Sequence, residues 1–598
     1  MPATLTEALH HAALGPHAIH YLEREPRQSL QRYATLHAEA LRVLGFLQRQ
    51  GVQRGHEVVF QLEHNRDFVT ALWACLLGGI IPVPLQAGGV DEHRLKVFKV
   101  WPVLHRPYLL GADGASVAAL VAFGRERGFE QVALELERHG LSFAEAAASS
   151  EAGQEHPARP EDIALIQFSS GSTGEPKGVI VTHRAAIVNT RDMIATLRVG
   201  PTDIFLGWMP LTHDFGIIGF HLTPLVAAVP QYHLPTQRFA RHPSLWLEST
   251  NTHRATILAS PNFGYLHLLG HHRPEAAAHW DLSCVRIIQN GAEPISASLC
   301  RRFLDEMARH GLRREVMLPG YGLAEATLAV SYTGLDEVVP TQVVDRRFLG
   351  VGERIRPCEA ADPNALELVD AGFPVPHTQV RIATEDFQPL PELVVGRVQL
   401  KGPNVTAGYY NAPRATERAV AADGWLDTGD LGFLHGGRLV ITGRAKDILF
   451  SGGINFYPHD VERVGGEVEG VGPAHIAVAG LHDHRQGVER VLAFVVFKRP
   501  LEAFAPLARR LSSHVMQRLG LSLDAVIPIV RIPKTTSGKV QRFALAQRYE
   551  QGEFAEVLSR LAALDAQAAA DEARALKQSV EARGRATVLE MVRREAEA

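Results

Sequence analysis

The chain has 598 residues, more than one compact core holds, and at roughly 150 residues per domain it implies two to four domains. Hydrophobic residues make up 46% and charged residues 21%, an ordinary globular composition that excludes a collagenous or disordered chain. Lys plus Arg total 61 against 65 Asp plus Glu, a net charge of −4, so no basic surplus points to nucleic acid. Cys75, Cys284, Cys300 and Cys358 lie far apart with no CxxC, which reads as a reduced, cytoplasmic protein with free thiols. The N-terminus lacks a basic region followed by an apolar core, so no signal peptide is expected. The longest apolar stretch, 68–85, is broken by Gly78, Gly79, Pro82 and Pro84 and is no membrane span. The 29 histidines are scattered; His10-His11 and His271-His272 lack the i, i+4 spacing of a helical zinc pair and read as surface residues.

Leu30, Tyr33, Leu36, Ala40, Val43, Leu44 and Leu47 predict a helix over 29–50, closed by Gly51. A strand at 58–62, a buried helix at 67–77 and a strand at 80–85 follow. That order predicts a parallel α/β sheet with right-handed crossovers. Residues 147–160 form a linker. An apolar strand at 163–168 then leads into Phe168-Ser-Ser-Gly-Ser-Thr-Gly-Glu-Pro-Lys-Gly178, with a strand at 179–182 and a helix start at His183.

Taken alone, a Gly/Ser loop is a polar turn. Here its glycines let backbone N–H groups approach an anion, its hydroxyls donate, and Lys177 neutralises charge, so the expected ligand is a polyphosphate. It is not a Walker loop, because Pro176-Lys-Gly178 stands where Gly-Lys-Ser/Thr would be needed. Three later strands end in Gly and polar residues: Trp208–Gly219 with His213-Asp214 on its turn, Asn290-Gly-Ala-Glu-Pro294, and Tyr321-Gly-Leu-Ala-Glu-Ala-Thr327. Ligands gather at such strand ends in open α/β sheets, although a His-Asp pair in a turn is more often structural. From Val395 short strands predict a small β-rich subdomain. A small α+β unit follows Arg444-Ala-Lys-Asp447, with helices at 458–464 and 506–519 and strands at 474–479 and 491–497. Its last motif is Pro533-Lys-Thr-Thr-Ser-Gly-Lys539. Residues 551–598, rich in Ala, Glu and Arg, predict peripheral helices.

Five stretches thus stand in one order: 168–178, 208–219, 321–327, Thr428-Gly-Asp430 with Gly443-Arg-Ala-Lys-Asp447, and 533–539. Together they resemble the adenylate-forming superfamily over about residues 25–545. The wording of His213-Asp-Phe-Gly216, Asn290–Pro294 and Tyr321–Leu328 is most similar to the fatty acyl-AMP ligases, as is an insertion placed within 335–372. The resemblance implies a large adenylate-forming domain over 1–442, built of two α/β subdomains and a small β-rich one. It also implies a small mobile α+β domain over 443–550, leaving a helical tail over 551–598. It implies that Ser170, Gly171, Ser172, Thr173, Gly174 and Lys177 hold the phosphates of ATP. Tyr321 would stack on adenine against the Gly291-Ala292-Glu293 backbone, and Asp430 would accept from the ribose hydroxyls. Gly322, Thr327 and Arg444 complete the nucleotide set, Thr327 standing in for a threonine that many relatives carry where this chain has Ala324. Glu325 would take Mg²⁺, His213 would line the entrance to the acyl pocket, Lys446 would be the hinge, and Lys539 would reach the reacting oxygens.

The implied activity is ATP-dependent conversion of a fatty acid to its acyl adenylate, followed by transfer to the phosphopantetheine thiol of a carrier protein. No carrier motif follows residue 545, so that acceptor would be a separate acyl carrier protein. The alternatives are an acyl-CoA synthetase and, in another class, an inactive nucleotide- or carrier-binding protein. Glu325 and Lys539 weigh against the latter. A serine hydrolase would need Gly-x-Ser-x-Gly at a strand–helix elbow, which is not found.

Overall fold

The computed structural model describes residues 2–23, 29–88, 90–170, 176–451, 454–472, 474–483, 488–534 and 540–568, with 570, 571, 574 and 578 beyond. The chain divides into two compact units, one ending at Lys446 and the other beginning at Asp447.

The first unit holds two α/β layers and a β-rich part, as the sequence implies. Its largest sheet has nine strands, and the six at its centre run parallel: Met317–Gly322, Ile287–Asn290, Ile257–Ala259, Phe205–Gly207, Gln231–His233 and Ala18–Tyr21. Phe205–Gly207 and Ile257–Ala259 at its middle are wholly buried, short apolar runs rather than alternating ones. A second, four-stranded parallel sheet is ordered Ile81–Pro84, Glu57–Gln61, Pro107–Gly111, Gly140–Ser142. The expected helix over 29–50 begins later, as Tyr33–Arg49. Residues Ser29–Arg32 pair antiparallel with Ala18–Tyr21 instead, because Gln31 is fully buried where it accepts the Tyr21 hydroxyl.

The strand Ile163–Ser170 forms an antiparallel hairpin with Pro176–Thr182, and residues 171–175 at its tip lie outside the described residues. The β-rich part is a four-stranded antiparallel meander, Gln379–Ala383, Gly396–Lys401, Leu426–His435 and Arg438–Arg444, starting earlier than the composition shift at Val395 suggests.

Within 335–372 lies a further hairpin, Thr341–Asp345 with Ala365–Val369. Two arginines bolt this segment to the rest of the unit. Arg301 forks onto Glu367 at 2.9 and 2.6 Å. Arg438 forks onto Glu337 at 3.0 and 2.7 Å, while its Nε donates to Asp370 at 2.6 Å. Bidentate arginine pairs of this kind fix orientation as well as adding energy.

The second unit packs helices Pro458–Gly465 and Leu501–Leu519 on a three-stranded sheet, Ile476–Asp483, Val488–Val496 and Ala525–Ile529. The longer helix starts at Leu501, not at Pro506. Burial of Phe504 holds the turn that precedes the proline. The expected peripheral tail is in part core: the segment after residue 550 buries Phe554 and Leu561 in this unit. Among the described residues no helix is long and apolar enough to cross a membrane.

Candidate functional site

Asp430 and Arg444 sit directly opposite each other on neighbouring strands of the meander. The Arg444 Nε donates to Asp430 Oδ1 at 2.9 Å, and the Tyr321 hydroxyl donates to Oδ2 at 2.6 Å. Tyr321 comes from the end of a central strand of the large sheet, so this one carboxylate ties the sheet to the meander. Burial of the hydroxyl, and then the charge of Asp430, push its pKa well above the usual tyrosine value, so it stays a donor. Below, the Asp430 amide donates to Thr428 Oγ1 at 3.0 Å and the Gly429 amide to Asp427 at 2.9 Å. Gly429, at φ +74°, makes the tight bend that presents the aspartate.

Glu325 lies on the short turn Ala324–Ala326. One of its carboxylate oxygens accepts the Tyr409 hydroxyl at 2.9 Å; the other meets no partner among the described residues. The Lys177 ammonium sits 4.8 Å from the centre of the Tyr409 ring, a cation–π distance. Desolvation lowers the Lys177 pKa, and the positive charges of Lys446, Arg418 and Arg444 lower it further against the opposing pull of Glu325. Cations crowded until they repel one another form a field that an anion relieves.

A narrow cleft opens at the ends of three central strands. It brings together five expected residues: His213, Gly291, Ala292, Tyr321 and Gly322. Ala292 holds φ +72°, a conformation that costs a non-glycine residue roughly 1–3 kcal/mol and persists at sites that need it. Gln289 and Asn290 line the same cleft, and among the described residues the buried Gln289 Nε2 and Asn290 Oδ1 meet no hydrogen-bond partner.

His213 Nδ1 stands 2.6 Å from Asp214 Oδ1 and accepts the Phe215 amide at 3.2 Å, so both neighbours fix the ring. The chain then enters a π-helix, Phe215–Leu222, a rare element that recurs at functional sites. Gly216 permits the turn, since a Cβ there would lie 2.1 Å from the Pro210 carbonyl oxygen. The loop before the π-helix parts two cavities. His213, Asp214 and Phe215 face the cleft, while Pro210, Leu211 and Thr212 line a cavity of about 380 Å³ that also meets Phe68, Gln86 and Arg238.

Two expected residues turn elsewhere. The Thr327 hydroxyl is buried and donates to the Asn404 carbonyl at 2.7 Å, so it is not positioned as the substitute for the missing threonine at 324. The Glu293 carboxylate accepts the Phe263 amide at 2.9 Å, a contact of its side chain and not of the backbone expected along adenine. Gly171, Ser172, Thr173, Gly174 and Lys539 fall outside the described residues. Ser170 ends its strand, and Lys446 is the last residue of the first unit. Tyr409, Gln289 and Lys96 were not singled out in the sequence. The Lys96 ammonium donates to the Phe168 carbonyl at 3.3 Å at the base of the Gly/Ser hairpin, and burial pulls its pKa down to about 8.

Two family models match the chain: AMP-binding enzyme over residues 10–410 and AMP-binding enzyme C-terminal domain over 460–539. A Caulobacter vibrioides protein named as an acyl-CoA synthetase is 32% identical, over 92% of this chain and 96% of that one. A medium-chain-fatty-acid–[acyl-carrier-protein] ligase of Teredinibacter turnerae is 32% identical over 68% of this chain and 67% of that one. Among solved structures, one from studies of fatty acyl-adenylate ligases of E. coli and L. pneumophila superposes with a TM-score of 0.84. It has 29% identity and covers 92% of this chain and 98% of that chain.

Proposed function

The chain belongs to the AMP-binding enzyme family, and from that premise we propose that it activates a fatty acid as its acyl adenylate and passes the acyl group to a carrier-protein thiol. The observation that carries the reading is the Tyr321–Asp430–Arg444 chain beside a cleft lined by Tyr321 and the strained backbone of Ala292. The residues fit ATP. Asp430 is an acceptor-only group within reach of ribose hydroxyls. The Tyr321 ring and the strained backbone at Ala292 face one cleft, as an adenine sandwich requires. Lys177 stands in a field of cations suited to phosphates.

In this reading the acid's carboxylate oxygen attacks the α-phosphorus, the bond to pyrophosphate breaks, and pyrophosphate leaves with the electron pair. The protein contributes positioning and charge stabilisation. Lys177 and the Gly/Ser loop hold the departing phosphates, and Lys539 steadies the reacting oxygens. His213, oriented by Asp214, faces the cleft. Glu325, with one oxygen spoken for by Tyr409 and one open, fits a hard cation, and Mg²⁺ there would supply neutralisation of phosphate charge. The Lys446 hinge reading draws support from the division of the chain after that residue.

The acceptor rests on the 335–372 segment, which Arg301 and Arg438 hold onto the first unit. A fixed insertion of this kind would hinder the rearrangement that CoA ligation needs, while a carrier protein brings its own thiol on a long arm. With ATP, Mg²⁺ and a panel of fatty acids, labelled pyrophosphate is expected to exchange into ATP, and Lys539→Ala to abolish exchange. Acyl transfer is expected to holo carrier protein and not to CoA. Efficient acyl-CoA formation would leave only adenylation standing, and absence of exchange with every acid would favour the inactive binding protein.

A further inference from the structure

Apart from every residue named above as binding nucleotide, three segments converge on one carboxylate. His10 lies on helix Leu5–Ala13, His37 on helix Tyr33–Arg49, and Glu155 on the linker that precedes the Gly/Ser hairpin. His10 Nε2 is 3.0 Å from one Glu155 oxygen and His37 Nε2 is 2.7 Å from the other. The two imidazoles meet edge to face, with centroids 5.0 Å apart. The three donor atoms all lie within 4.8 Å of one another.

The surroundings hold these groups in place. The linker is sewn to the second helix before Glu155 and to helix Asn65–Leu77 after it. The Gly153 amide donates to Leu41 O at 2.7 Å, Gln154 and Gln48 exchange two hydrogen bonds, and the His156 amide donates to Leu77 O at 2.7 Å. Gly45 and Gly153 let the two backbones touch, since a Cβ on Gly45 would lie 2.3 Å from Glu151 O. The first helix is anchored by burial of Leu5, Leu9 and Ala12 and by the Leu5 amide donating to His183 Nδ1. A donor set carried on packed elements is preorganised, and preorganised donors lose little entropy on binding.

We propose that His10, His37 and Glu155 form a binding site for one divalent transition metal ion of the zinc class. Two imidazole nitrogens and one carboxylate are a recurrent three-ligand set for Zn²⁺, with a fourth position left to water. Mg²⁺ and Ca²⁺ prefer all-oxygen shells and are excluded by the two imidazoles. The side chains remain 26–46% exposed, so an ion enters from solvent and keeps a water. On binding, each Nε2 gives its lone pair to the metal, and the proton of the ring moves to Nδ1. The ion would clip the first helix, the second helix and the linker together.

The sharpest test separates a metal site from a merely hydrogen-bonded triad. Glu155→Gln keeps an acceptor for the histidines but is a poor metal ligand. The metal-stripped full chain would be titrated with Zn²⁺ against a competing chelator, and with Co²⁺ for the visible absorption of a bound ion. One equivalent is expected in the parent. His37→Ala and Glu155→Gln should each weaken binding by at least the roughly 10–100-fold that loss of even an outer-shell partner costs. Zn²⁺ should raise the melting temperature of the parent but not of Glu155→Gln, with pyrophosphate exchange unchanged in both variants. Absence of saturable binding in the parent, or binding that survives in Glu155→Gln, would overturn the proposal. Should His37→Ala fail to fold, Glu155→Gln decides alone.

Discussion

The two sides of the candidate site are held by different forces. On the nucleotide side Tyr321, Asp430, Arg444, Glu325, Tyr409 and Lys177 are tied by charged or charge-assisted contacts. On the acid side the π-helix Phe215–Leu222 is wholly buried, and its polar groups are neutral. There the Trp73 indole donates to His221 Nε2 at 2.9 Å, His221 Nδ1 pairs with Gln231, and the Gln231 amide donates to Tyr33. Burial pushes His221 down to about 4 and His233 down to about 3. The difference teaches how one site serves two ligands. In the proposed reading a polyanion would meet charged groups, whereas a fatty acid would meet a packed, buried wall.

Four perturbations would sharpen or break that comparison. Asp430→Ala removes a charged acceptor and releases both Tyr321 and Arg444. At about 1.5–3 kcal/mol for each of the two charged hydrogen bonds, kcat/KM for exchange should fall about 10²–10⁴-fold. A smaller loss in steady-state assays, with the fold intact by circular dichroism, would deny the carboxylate its central place.

The acid side should respond to pH instead. Since folding holds His221 and His233 below the model value of 6.5, the unfolded chain takes up protons that the folded one refuses. Their stabilisation is complete above about pH 6.5 and is lost as pH falls towards about 4 and about 3. Each contributes a slope of about 1.4 kcal/mol per pH unit inside that window. Denaturant midpoints measured from pH 7 to 5 should drop accordingly, and His221→Gln should flatten the slope.

Gly216→Ala would place a Cβ against the Pro210 carbonyl and force the turn apart. Overpacking of this kind costs about 1–3 kcal/mol. The KM for the acid should rise more than the KM for ATP, and equal rises would show that the turn serves both sides. Tyr409→Phe is the mildest change. It frees the Glu325 oxygen but keeps the ring beneath Lys177, so kcat/KM should fall about five- to tenfold, matching one hydrogen bond of about 1 kcal/mol. Higher Mg²⁺ should recover part of the loss; no response to Mg²⁺ would separate Glu325 from the metal.

Much of this was legible because the chemistry is local in sequence. The apolar runs before Ser170, Trp208, Asn290 and Tyr321 predict strands, and glycine with polar residues after them marks the strand ends; three of those ends meet in one cleft. The periodic segments also placed the helices Tyr33–Arg49, Asn65–Leu77, Pro458–Gly465 and Leu501–Leu519. The misreadings fall where tertiary contact overrides a local signal. Residues 29–32 form an edge strand because Gln31 finds Tyr21. The helix at 501 runs through a proline because Phe504 is buried. The segment after 550 joins a core that its composition does not announce.

What the amino-acid order determined by itself was the adenylate-forming family and the α/β class. Each motif behind them is legible from neighbours within a dozen positions, and the five stand in one order. Only the tertiary structure decided which of their residues work together. It joined Tyr321 to Asp430 across 109 positions and Glu325 to Tyr409 across 84, and it brought His10 and His37 to Glu155. It also turned Thr327 away from the cleft and set Gln289 and Asn290 within it. Hydrogen bonds and desolvation act over a few ångströms of space whatever the separation along the chain, so a spacing pattern cannot display them until the sheets have closed.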